Sequence, residues 1–414
     1  MTVGIMGMGY VGLPLAVAFA QAGHRVIAMD VDSRKVAALE RGESYIEDIP
    51  DEDVHAVRNL IEPTTRVGPL AHADAVLLCV PTPLTANREP DLGPVLDATQ
   101  ALARVLRAGQ LVVLESTSYP GTTRERLLPL LEESGLAAGS DFSLAHSPER
   151  VDPGRADHTI RNTPKVVGGL TEVCTQRASD LYAAICDEVV PVATPEVAEL
   201  TKLLENIFRS VNIALVNELA ILADRMGIDI WEVVDAAATK PFGFMRFEPG
   251  PGMGGHCLPV DPFYLAWRAR EFDFPTEFIE LAGKVNMQMP YHCVEKIERA
   301  LNEAGKAVKG SRVAILGVSY KAGIGDLRES PALKILRLLA DRGADLVYHD
   351  PHVPELPHGM QSLPLDQALD GADLAVIVTA HPEIDLPTVI RDAPRVVDLR
   401  GVTRRMPAPS VERL

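Results

Sequence analysis

Short apolar segments alternate with helical ones through the N-terminal part of the chain. The opening stretch TVGIMGMGYVGLPLAVAFAQAG predicts a strand, a glycine-rich turn and a helix, and HRVIAMDVD predicts a second strand. Further strands are predicted within residues 73–83, 109–118 and 141–150, each ending in polar or proline-rich sequence. This alternation predicts a doubly wound parallel sheet, which binds ligands at the carboxyl ends of its strands.

The same pattern returns in the C-terminal third of the chain. SRVAILGVSY and SPALKILRLLADRG correspond to the first strand and helix, and ADLVYHDP, GADLAVIVTAH and PRVVDLRG correspond to later strands. We therefore predict an α/β protein with two doubly wound Rossmann-like domains. Residues 303–311 are a plausible link into the second domain, and the tail MPAPSVERL is expected to be loose.

One long helix is predicted over residues 195–228. Its apolar residues recur three and four positions apart, and after the initial proline no Gly or Pro occurs before Gly227. Such length is typical of a helix that joins domains or packs against a second subunit. Lys202, Asn206 and Arg209 share one face. Because asparagine is a poor residue for the middle of a helix, we interpret this stripe as functional rather than merely solvated.

Composition and charge limit the possible partners. The chain has 414 residues, five scattered cysteines and a formal net charge of −17, which argues against nucleic acid and anionic membranes as partners. Without a C-x-x-C pair we expect reduced thiols and no metal site. The N-terminus lacks a basic leader, and no run approaches the roughly 18 apolar residues of a membrane span, so we expect a cytoplasmic protein.

The first turn carries a dinucleotide fingerprint. Gly7, Gly9 and Gly12 form G-x-G-x-x-G directly after a strand, and Asp30 ends the next strand. The glycines let backbone N–H groups approach a pyrophosphate, and Asp30 can accept a hydrogen bond from a ribose hydroxyl. A carboxylate there repels a 2′-phosphate, so NAD is favoured over NADP, although the neighbouring Arg34 and Lys35 weaken that preference.

A second glycine-rich segment, GPGMGGHCLPVD at residues 250–261, surrounds a single cysteine. Cys257 could be a buried thiol, a metal ligand together with His256, or a nucleophile. Dense glycines support packing poorly, and adjacent His and Cys rarely bind one ion, so the nucleophile is favoured. If a helix begins near Pro259, its N-terminal amides lower the pKa of the thiol, and Asp261 lies one turn away.

The whole chain resembles the nucleotide-sugar 6-dehydrogenases, the UDP-glucose/GDP-mannose dehydrogenase family. The resemblance is carried by GMGYVGLPLA, VPTP, ESTSYPGTT, SPERVDPG, TKLLEN, PGPGMGGHCLPVDP, GVSYKAGIGDLRESP and VVDLRG. SPERVDPG and KPFGF look most like the branch that acts on UDP-N-acetylglucosamine, with UDP-glucose and UDP-N-acetylmannosamine as alternatives. The implied domains are an NAD-binding domain (1–194), a central helical dimerisation domain (195–302) and a UDP-sugar-binding domain (303–414).

The resemblance implies a four-electron oxidation of the sugar C6 alcohol to a carboxylate, through a thiohemiacetal and a thioester on Cys257. Separately, the helix predicted over residues 195–228 is long and apolar on more than its sugar-facing stripe, so we predict that it packs against its copy in a homodimer. The implied catalytic residues are Cys257, Lys202, Asn206, Asp261, Thr117 and Glu149. The implied cofactor contacts are Gly7, Gly9, Tyr10, Val11, Gly12, Asp30, Lys35, Thr82, Thr117 and Arg328. The implied substrate contacts are Glu149, Arg150, Val151, Lys202, Asn206, Arg209, Phe242, Gly254, Lys321 and Arg400.

Other functional classes explain the sequence less well. Nucleotide-sugar epimerases commonly use a Tyr-x-x-x-Lys pair, and none of the eight tyrosines has a lysine four positions later. A two-domain hydroxyacid dehydrogenase would leave Cys257 and the second nucleotide-type domain without a purpose. A binding protein without catalysis would be expected to lose the catalytic set, which is present.

Overall fold

The computed structural model describes residues 1–46, 48–85, 89–151, 157–255, 260–406 and 408–414. They divide into two compact units: unit 1 comprises residues 1–205 and 263–274, and unit 2 comprises residues 206–262 and 275–414. Each unit contains one β-sheet with helices on both of its faces.

The sheet of unit 1 is built by eight short, mostly apolar strands. Its strands are β1 (Thr2–Met6), β2 (Arg25–Met29), β3 (Ile61–Thr64), β4 (Ala75–Leu78), β5 (Leu111–Leu114), β6 (Ser143–His146), β7 (Lys165–Gly169) and β8 (Val189–Val192). Their spatial order is β3-β2-β1-β4-β5-β6-β7-β8, and all neighbours are parallel except β6 and β7. The order reverses between β1 and β4, where doubly wound sheets bind ligands.

Helices cover both faces of this sheet. They are α1 (Gly12–Gln21), α2 (Ser33–Arg41), α3 (Asp51–Val57), α4 (Gly93–Ala103), α5 (Leu128–Glu132) and α6 (Glu172–Tyr182), with 3₁₀ turns at Arg58–Leu60 and Gly68–His72 and a π-helical segment at Thr122–Leu127. Side chains of α1 and α6 pack on one face, and those of α4 and α5 pack on the other. The strands are therefore buried on both sides, which explains their continuous apolar sequences.

Between the sheets the chain is helical. It forms α7 (Pro195–Met226), α8 (Ile230–Ala237), α9 (Asp261–Ala269), a 3₁₀ turn (Arg270–Phe272) and α10 (Glu277–Glu303). The predicted long helix is thus confirmed as α7, which begins in unit 1 and ends in unit 2. Among the described helices, α7 is the one long and apolar enough to span a membrane by length and composition, a test that core helices of soluble proteins also pass.

The sheet of unit 2 repeats the doubly wound pattern. It is formed by β9 (Arg312–Leu316), β10 (Asp345–His349), β11 (Leu374–Ile377), β12 (Val396–Asp398) and β13 (Val411–Arg413), all parallel, in the order β10-β9-β11-β12-β13. Its helices are α11 (Pro331–Asp341), α12 (Leu365–Leu369) and α13 (Leu386–Asp392). The predicted fold class, two Rossmann-like domains joined by a long helix, is confirmed.

The expectation of a loose C-terminal tail is wrong. Val411 pairs with Val396 and lies in the core, so the tail supplies the last strand of the second sheet. Leu414 is buried, and its terminal oxygen accepts a hydrogen bond from Trp231 Nε1 at 2.9 Å. The burial of Val411 and Leu414 and the pairing with the edge of β12 therefore stabilise a strand here, although prolines precede it.

Candidate active site

The turn after β1 has the shape of a phosphate cradle. Gly7 has a φ of 94°, and a Cβ there would lie 2.7 Å from the carbonyl oxygen of Cys79. A Cβ at Gly12 would lie 1.9 Å from the carbonyl oxygen of Gly7. A Cβ at Gly9, in contrast, meets nothing within 4 Å. The turn itself therefore requires Gly7 and Gly12, whereas Gly9 exposes backbone to open space that a ligand can enter.

Asp30 follows β2 beside this turn. Its carboxylate accepts hydrogen bonds from Met8 N at 2.7 Å, Asp32 N at 2.9 Å and Lys35 Nζ at 2.9 Å. A carboxylate offers about four lone-pair positions, so one acceptor position is left for a ribose hydroxyl. The open backbone at Gly9 and the buried anion fit NAD. The Lys35 ammonium group forms an ion pair with Asp30. It screens only part of the negative charge of this carboxylate, so the charge still disfavours the 2′-phosphate of NADP.

The remaining predicted cofactor contacts in unit 1 lie at strand ends and in the same turn. Tyr10 is exposed and Val11 half-buried just before α1. Thr82 follows β4 and is buried, and its carbonyl oxygen accepts a hydrogen bond from Tyr264 Oη at 2.8 Å. Thr117 follows β5 and is half-buried. All four therefore belong to the unit that carries the glycine turn, at the edge where parallel sheets bind ligands.

Glu149 follows β6, and the backbone amides of the next two residues bind its carboxylate. One carboxylate oxygen, Oε1, accepts hydrogen bonds from the N–H groups of Arg150 and Val151, both at 2.7 Å. The Arg150 guanidinium group pairs with Glu205 at 2.6 Å and donates to the Pro164 carbonyl oxygen at 2.6 Å. Arg150, predicted to contact the substrate, is thus already bound to a carboxylate of α7.

The buried face of α7 carries several polar side chains among apolar ones such as Leu203. In unit 1 this face carries the carboxyl group of Glu199 and the amino group of Lys202. In unit 2 it continues with Asn206, Ser210 and Asn217. Spacings of three, four and seven residues keep these positions on one side of the helix. The predicted stripe of Lys202 and Asn206 therefore lies on the side of the helix that faces protein, whereas its third member, Arg209, is exposed.

Glu199 was not predicted from the sequence. Its carboxylate accepts hydrogen bonds from Gly121 N at 2.6 Å, Thr123 N at 2.8 Å and Thr123 Oγ1 at 2.7 Å, which ties α7 to the loop that follows Thr117. Burial raises the pKa of Glu199 to about 7 despite these hydrogen bonds. The available signal was a glutamate on the same helical face as Lys202, one turn before it.

In unit 2, Asn206 donates a hydrogen bond from Nδ2 to Asp261 Oδ2 at 2.5 Å, and both side chains are buried. Helix α9 begins at Asp261, two residues later than the position near Pro259 that was considered from the sequence. A carboxylate in the first turn of a helix is favoured by the helix dipole. Cys257 and His256 lie within residues 256–259, outside the described residues, so the place of the thiol stays a prediction.

The glycine loop before Cys257 packs within unit 2. Gly250 N donates to Asn217 Oδ1 at 2.9 Å, and Gly255 N donates to the carbonyl oxygen of Arg328 at 2.9 Å. A Cβ at Gly254 would lie 2.4 Å from Tyr320 Cβ. The glycines therefore let this loop contact the segment that follows β9, and Gly254, predicted to contact substrate, contacts protein directly.

Three predicted basic contacts are also in unit 2: Lys321 and Arg400, predicted for the sugar nucleotide, and Arg328, predicted for the cofactor. Lys321 and Arg328 lie in the loop between β9 and α11, where the Arg328 guanidinium group pairs with Asp326 at 2.6 Å. Arg400 follows β12 and donates from Nε to the Val378 carbonyl oxygen at 2.8 Å. Burial lowers the pKa of Arg400. Lys321 and Arg400 therefore both follow strands of the second sheet at its carboxyl edge.

Phe242 lies between α8 and α9 and is largely exposed. Its ring centre is 5.1 Å from Lys240 Nζ. Because its side chain is not buried in unit 2, Phe242 is not a core anchor of that unit. It is available to a ligand or to another protein surface.

One group of described residues has the composition of a metal site. The candidate ligand atoms of His352, His381 and Glu383 lie within 4.8 Å of one another. Both nitrogens of His381 are engaged, Nε2 with Asp350 Oδ2 at 3.0 Å and Nδ1 with Gly323 N at 3.1 Å. Hydrogen bonding within unit 2 therefore accounts for both ring nitrogens of His381.

The chain matches three sequence profiles of one family. The NAD binding domain of the UDP-glucose/GDP-mannose dehydrogenase family matches residues 1–186, its central domain residues 196–288 and its UDP binding domain residues 314–405. These matches agree with the dinucleotide turn in unit 1 and the basic loops in unit 2.

Individual relatives are similar over nearly the whole chain. The UDP-N-acetyl-D-mannosamine dehydrogenase of Pyrococcus horikoshii is 37% identical over 387 residues, 92% of this chain and 90% of that protein. The NDP-N-acetyl-D-galactosaminuronic acid dehydrogenase of Ralstonia solanacearum is 35% identical over 418 residues, 97% of this chain and 96% of that protein. The solved structure of the Pyrococcus horikoshii UDP-D-ManNAc dehydrogenase has a TM-score of 0.92 at 33% identity, covering 100% of this chain and 99% of that one. The chain therefore belongs to the UDP-glucose/GDP-mannose dehydrogenase family, and it is an NAD-dependent UDP-sugar dehydrogenase.

Proposed function

We propose that the protein oxidises the C6 alcohol of a UDP-N-acetylhexosamine to the uronic acid. The main support is the buried polar face of α7, where Asn206 binds the Asp261 carboxylate and Lys202 lies one helical turn earlier. An ammonium group and an amide at these positions can stabilise negative charge on the oxygen attached to C6. The buried Asp261 carboxylate that Asn206 binds can orient or deprotonate water.

The proposed chemistry has two oxidations and one hydrolysis. A bound NAD would accept the hydride of the first oxidation and a second NAD, bound in its place, that of the other, and each oxidation also releases one proton. The alcohol first becomes an aldehyde, and the Cys257 thiol adds to its carbonyl carbon as a thiohemiacetal. Loss of a second hydride leaves a thioester, and water releases the carboxylate and restores the thiol. Asp261 is assigned to the water, and Thr117 and Glu149 are assigned to the reacting water and sugar.

The sugar is proposed as an N-acetylhexosamine for two reasons. The SPERVDPG and KPFGF segments look most like the N-acetylglucosamine branch. The relatives reported above are named for N-acetylmannosamine and N-acetylgalactosaminuronic acid, which also carry a 2-acetamido group. A site built for that amide leaves buried partners unpaired with UDP-glucose, at a cost of roughly 1–3 kcal/mol per group.

Competition kinetics test this assignment. NADH formation is measured with UDP-glucose and with the UDP-linked N-acetyl derivatives of glucosamine, mannosamine and galactosamine, and product mass is determined. We expect two NADH per sugar and a ten- to hundredfold preference, roughly, for an N-acetyl substrate. Preference for the glucosamine or the mannosamine epimer decides between the two branches. UDP-glucose as the best substrate would overturn the sugar assignment alone, and no NADH from any of them would overturn the function.

A homodimer through α7 is part of the proposal. The face of α7 opposite its polar side exposes apolar residues three, four and seven positions apart, a spacing typical of paired helices. These exposed residues are Val197, Leu200, Leu204, Phe208, Leu215, Leu219, Leu222 and Met226. A soluble chain rarely leaves such a stripe uncovered, and a second copy presents an identical stripe.

Light scattering at micromolar concentration tests the dimer. Leu204→Glu combined with Leu219→Glu places charges in the stripe and should give monomers. Val173→Glu, at an exposed position of α6, is the control and should not change the measured mass. A wild-type monomer would refute the dimer.

We propose further that the protein is cytoplasmic and soluble, and that its three-domain division follows residues 1–194, 195–302 and 303–414.

A further inference from the structure

A buried cluster of charges in unit 1 has no role in the chemistry described so far. Lys165 Nζ lies 2.8 Å from Glu115 Oε2, and these side chains are 4% and 0% exposed. The other oxygen of Glu115, Oε1, accepts a short hydrogen bond from Tyr182 Oη. The Lys165 ammonium group also lies 5.1 Å from the centre of the Tyr182 ring. Both oxygens of Glu115 are thus occupied, and its position is fixed.

The sheet topology explains how a lysine reaches this place. Glu115 follows β5 directly, and Glu149 lies three residues beyond β6, so both are at the carboxyl edge of the sheet. Lys165 is the first residue of β7, and β7 runs antiparallel to β6. The beginning of β7 therefore lies beside the end of β6. A parallel strand would have placed this lysine at the opposite edge.

Lys165 contacts a second carboxylate as well. Its Nζ is 3.5 Å from Glu149 Oε2, while Glu149 Oε1 is bound by the backbone N–H groups of Arg150 and Val151. Burial raises the pKa of Glu149, but the charge of Lys165, the two backbone hydrogen bonds and the charge of Lys202 outweigh it and leave this pKa below its usual value. Glu149 is therefore held by positive groups at one oxygen and by amides at the other.

The second carboxylate is the feature that needs explanation. Glu115 alone neutralises Lys165, and a buried ion pair often contributes no more stability than apolar residues of the same volume. The Glu149 side chain is 16% exposed, so it reaches the surface of the unit, while Glu115 does not. The cluster thus connects a fully buried anchor to a carboxylate that a ligand can touch.

We propose that Lys165 is a positioning residue for Glu149. Its ammonium group, anchored by Glu115, fixes the Glu149 carboxylate in the ionised form and orientation that accept a hydrogen bond from the reacting water or a sugar hydroxyl. This role rests on the proposed function, which assigns Glu149 to that water and sugar. No bond to Lys165 forms or breaks, so the residue acts entirely through Glu149.

The groups around the cluster keep their protonation states near neutral pH. Burial raises the pKa of the Cys79 thiol well above its usual value and that of the Cys186 thiol to about 11, and it raises that of Tyr182 as well. Burial and the charge of Lys165 lower the pKa of His146 to about 3, so this imidazole is neutral. Burial raises the pKa of Glu115 despite its contact with Lys165. Within this cluster, Glu115 and Glu149 are therefore the groups whose protonation changes on the acid side of neutral pH.

The test removes the ammonium group without leaving a buried charge. Lys165→Met alone would leave the buried Glu115 carboxylate without a positive partner. The main variant therefore combines Lys165→Met with Glu115→Gln, whose amide oxygen can still accept the hydrogen bond from Tyr182. The matched control is Lys296→Met with Asp224→Asn, which removes a buried ion pair of 2.7 Å from unit 2. Thermal unfolding establishes that both double variants are folded.

Two measurements are made on these proteins. The first is the pH dependence of NADH formation, in which the Lys165 variant should lose activity at higher pH than wild type and fall roughly tenfold or more below it at the acid end. The second is infrared titration of ¹³C-glutamate-labelled protein, with the Glu149 band identified by its loss in Glu149→Gln. The midpoint of that band should move to higher pH in the Lys165 variant and stay unchanged in the control.

The outcomes separate this role from the proposed function. A folded Lys165 variant with the wild-type acid limb and the wild-type Glu149 midpoint would overturn the positioning role. Absence of NADH from wild type with every UDP-sugar would overturn the proposed function, and the infrared midpoints would still show whether Lys165 holds Glu149 ionised. An equal shift in the control would also overturn the proposal, because it would mean a general effect of losing a buried ion pair.

Discussion

Replacing Gly9 with alanine should separate cofactor binding from folding. A Cβ at Gly9 meets no protein atom within 4 Å, and its φ is not in the left-handed region. The free energy of unfolding should therefore stay the same or rise by up to about 1 kcal/mol, because alanine restricts the unfolded chain. The new methyl group would occupy the space through which a pyrophosphate reaches the backbone N–H groups.

The expected loss of affinity follows from one hydrogen bond. A backbone N–H group donating to a charged phosphate oxygen contributes about 1.5–3 kcal/mol. Losing it raises the Kd of NADH roughly ten- to a hundredfold. Gly12→Ala should behave differently, because its Cβ would lie 1.9 Å from the carbonyl oxygen of Gly7, so the turn must shift and stability should fall together with binding.

Calorimetric titration with NADH and thermal unfolding measure the two effects. Gly68→Ala is the matched control, since its Cβ also meets nothing within 4 Å and it lies in a 3₁₀ turn away from the glycine fingerprint. It should leave the Kd of NADH unchanged and change the free energy of unfolding by the same small amount as Gly9→Ala. A Gly9→Ala protein that binds NADH with the wild-type Kd would refute the assignment of this turn to the pyrophosphate.

Three further predictions concern the cofactor, hydrolysis and pH. Catalytic efficiency should be far higher with NAD than with NADP because of the Asp30 carboxylate, and equal efficiencies would contradict the ribose assignment. Asp261→Asn should accumulate a sugar nucleotide covalently bound to Cys257, visible by intact-protein mass spectrometry, and near-normal turnover without an adduct would contradict its role. Burial raises the pKa of Glu199 to about 7 from an ordinary 4.5, so the native state binds this proton more tightly than the unfolded state. Stability should therefore fall as pH rises from about 4.5 through about 7, and Glu199→Gln should flatten this part of the urea-unfolding profile.

Local sequence patterns predicted the elements that depend on neighbouring residues. The glycines of the first turn, the strand ends and the length of α7 follow from spacing and from Gly and Pro positions, and the structure has them within a few residues. Thr82, Thr117 and Glu149 were assigned by family motif, and each does follow a strand of the sheet.

The elements that were missed depend on distant pairing. A lysine before an apolar run, as in KVVGG, has the same local signature whichever direction its strand runs, so the position of Lys165 could not be predicted. The direction of β7 is set by its pairing with β6 and β8. The tail was misjudged for the same reason, because its prolines are local and its partner, β12, is not.

Helix α7 shows why even a correct helix prediction leaves its orientation open. Periodicity places most of its leucines on one side and a row of polar residues on the other, and the usual rule would bury the leucines. The structure instead buries the side that carries these polar residues, together with a few apolar ones such as Leu203. There Glu199 binds backbone amides, and Asn217 binds both Asn286 and Gly250 N. Satisfied hydrogen bonds make that burial tolerable, but they leave the apolar side exposed along the whole helix. A helix that buries functional groups on one side and exposes apolar residues on the other needs a second protein surface to cover the apolar side. The proposed dimer and the proposed site therefore depend on the same helix, α7.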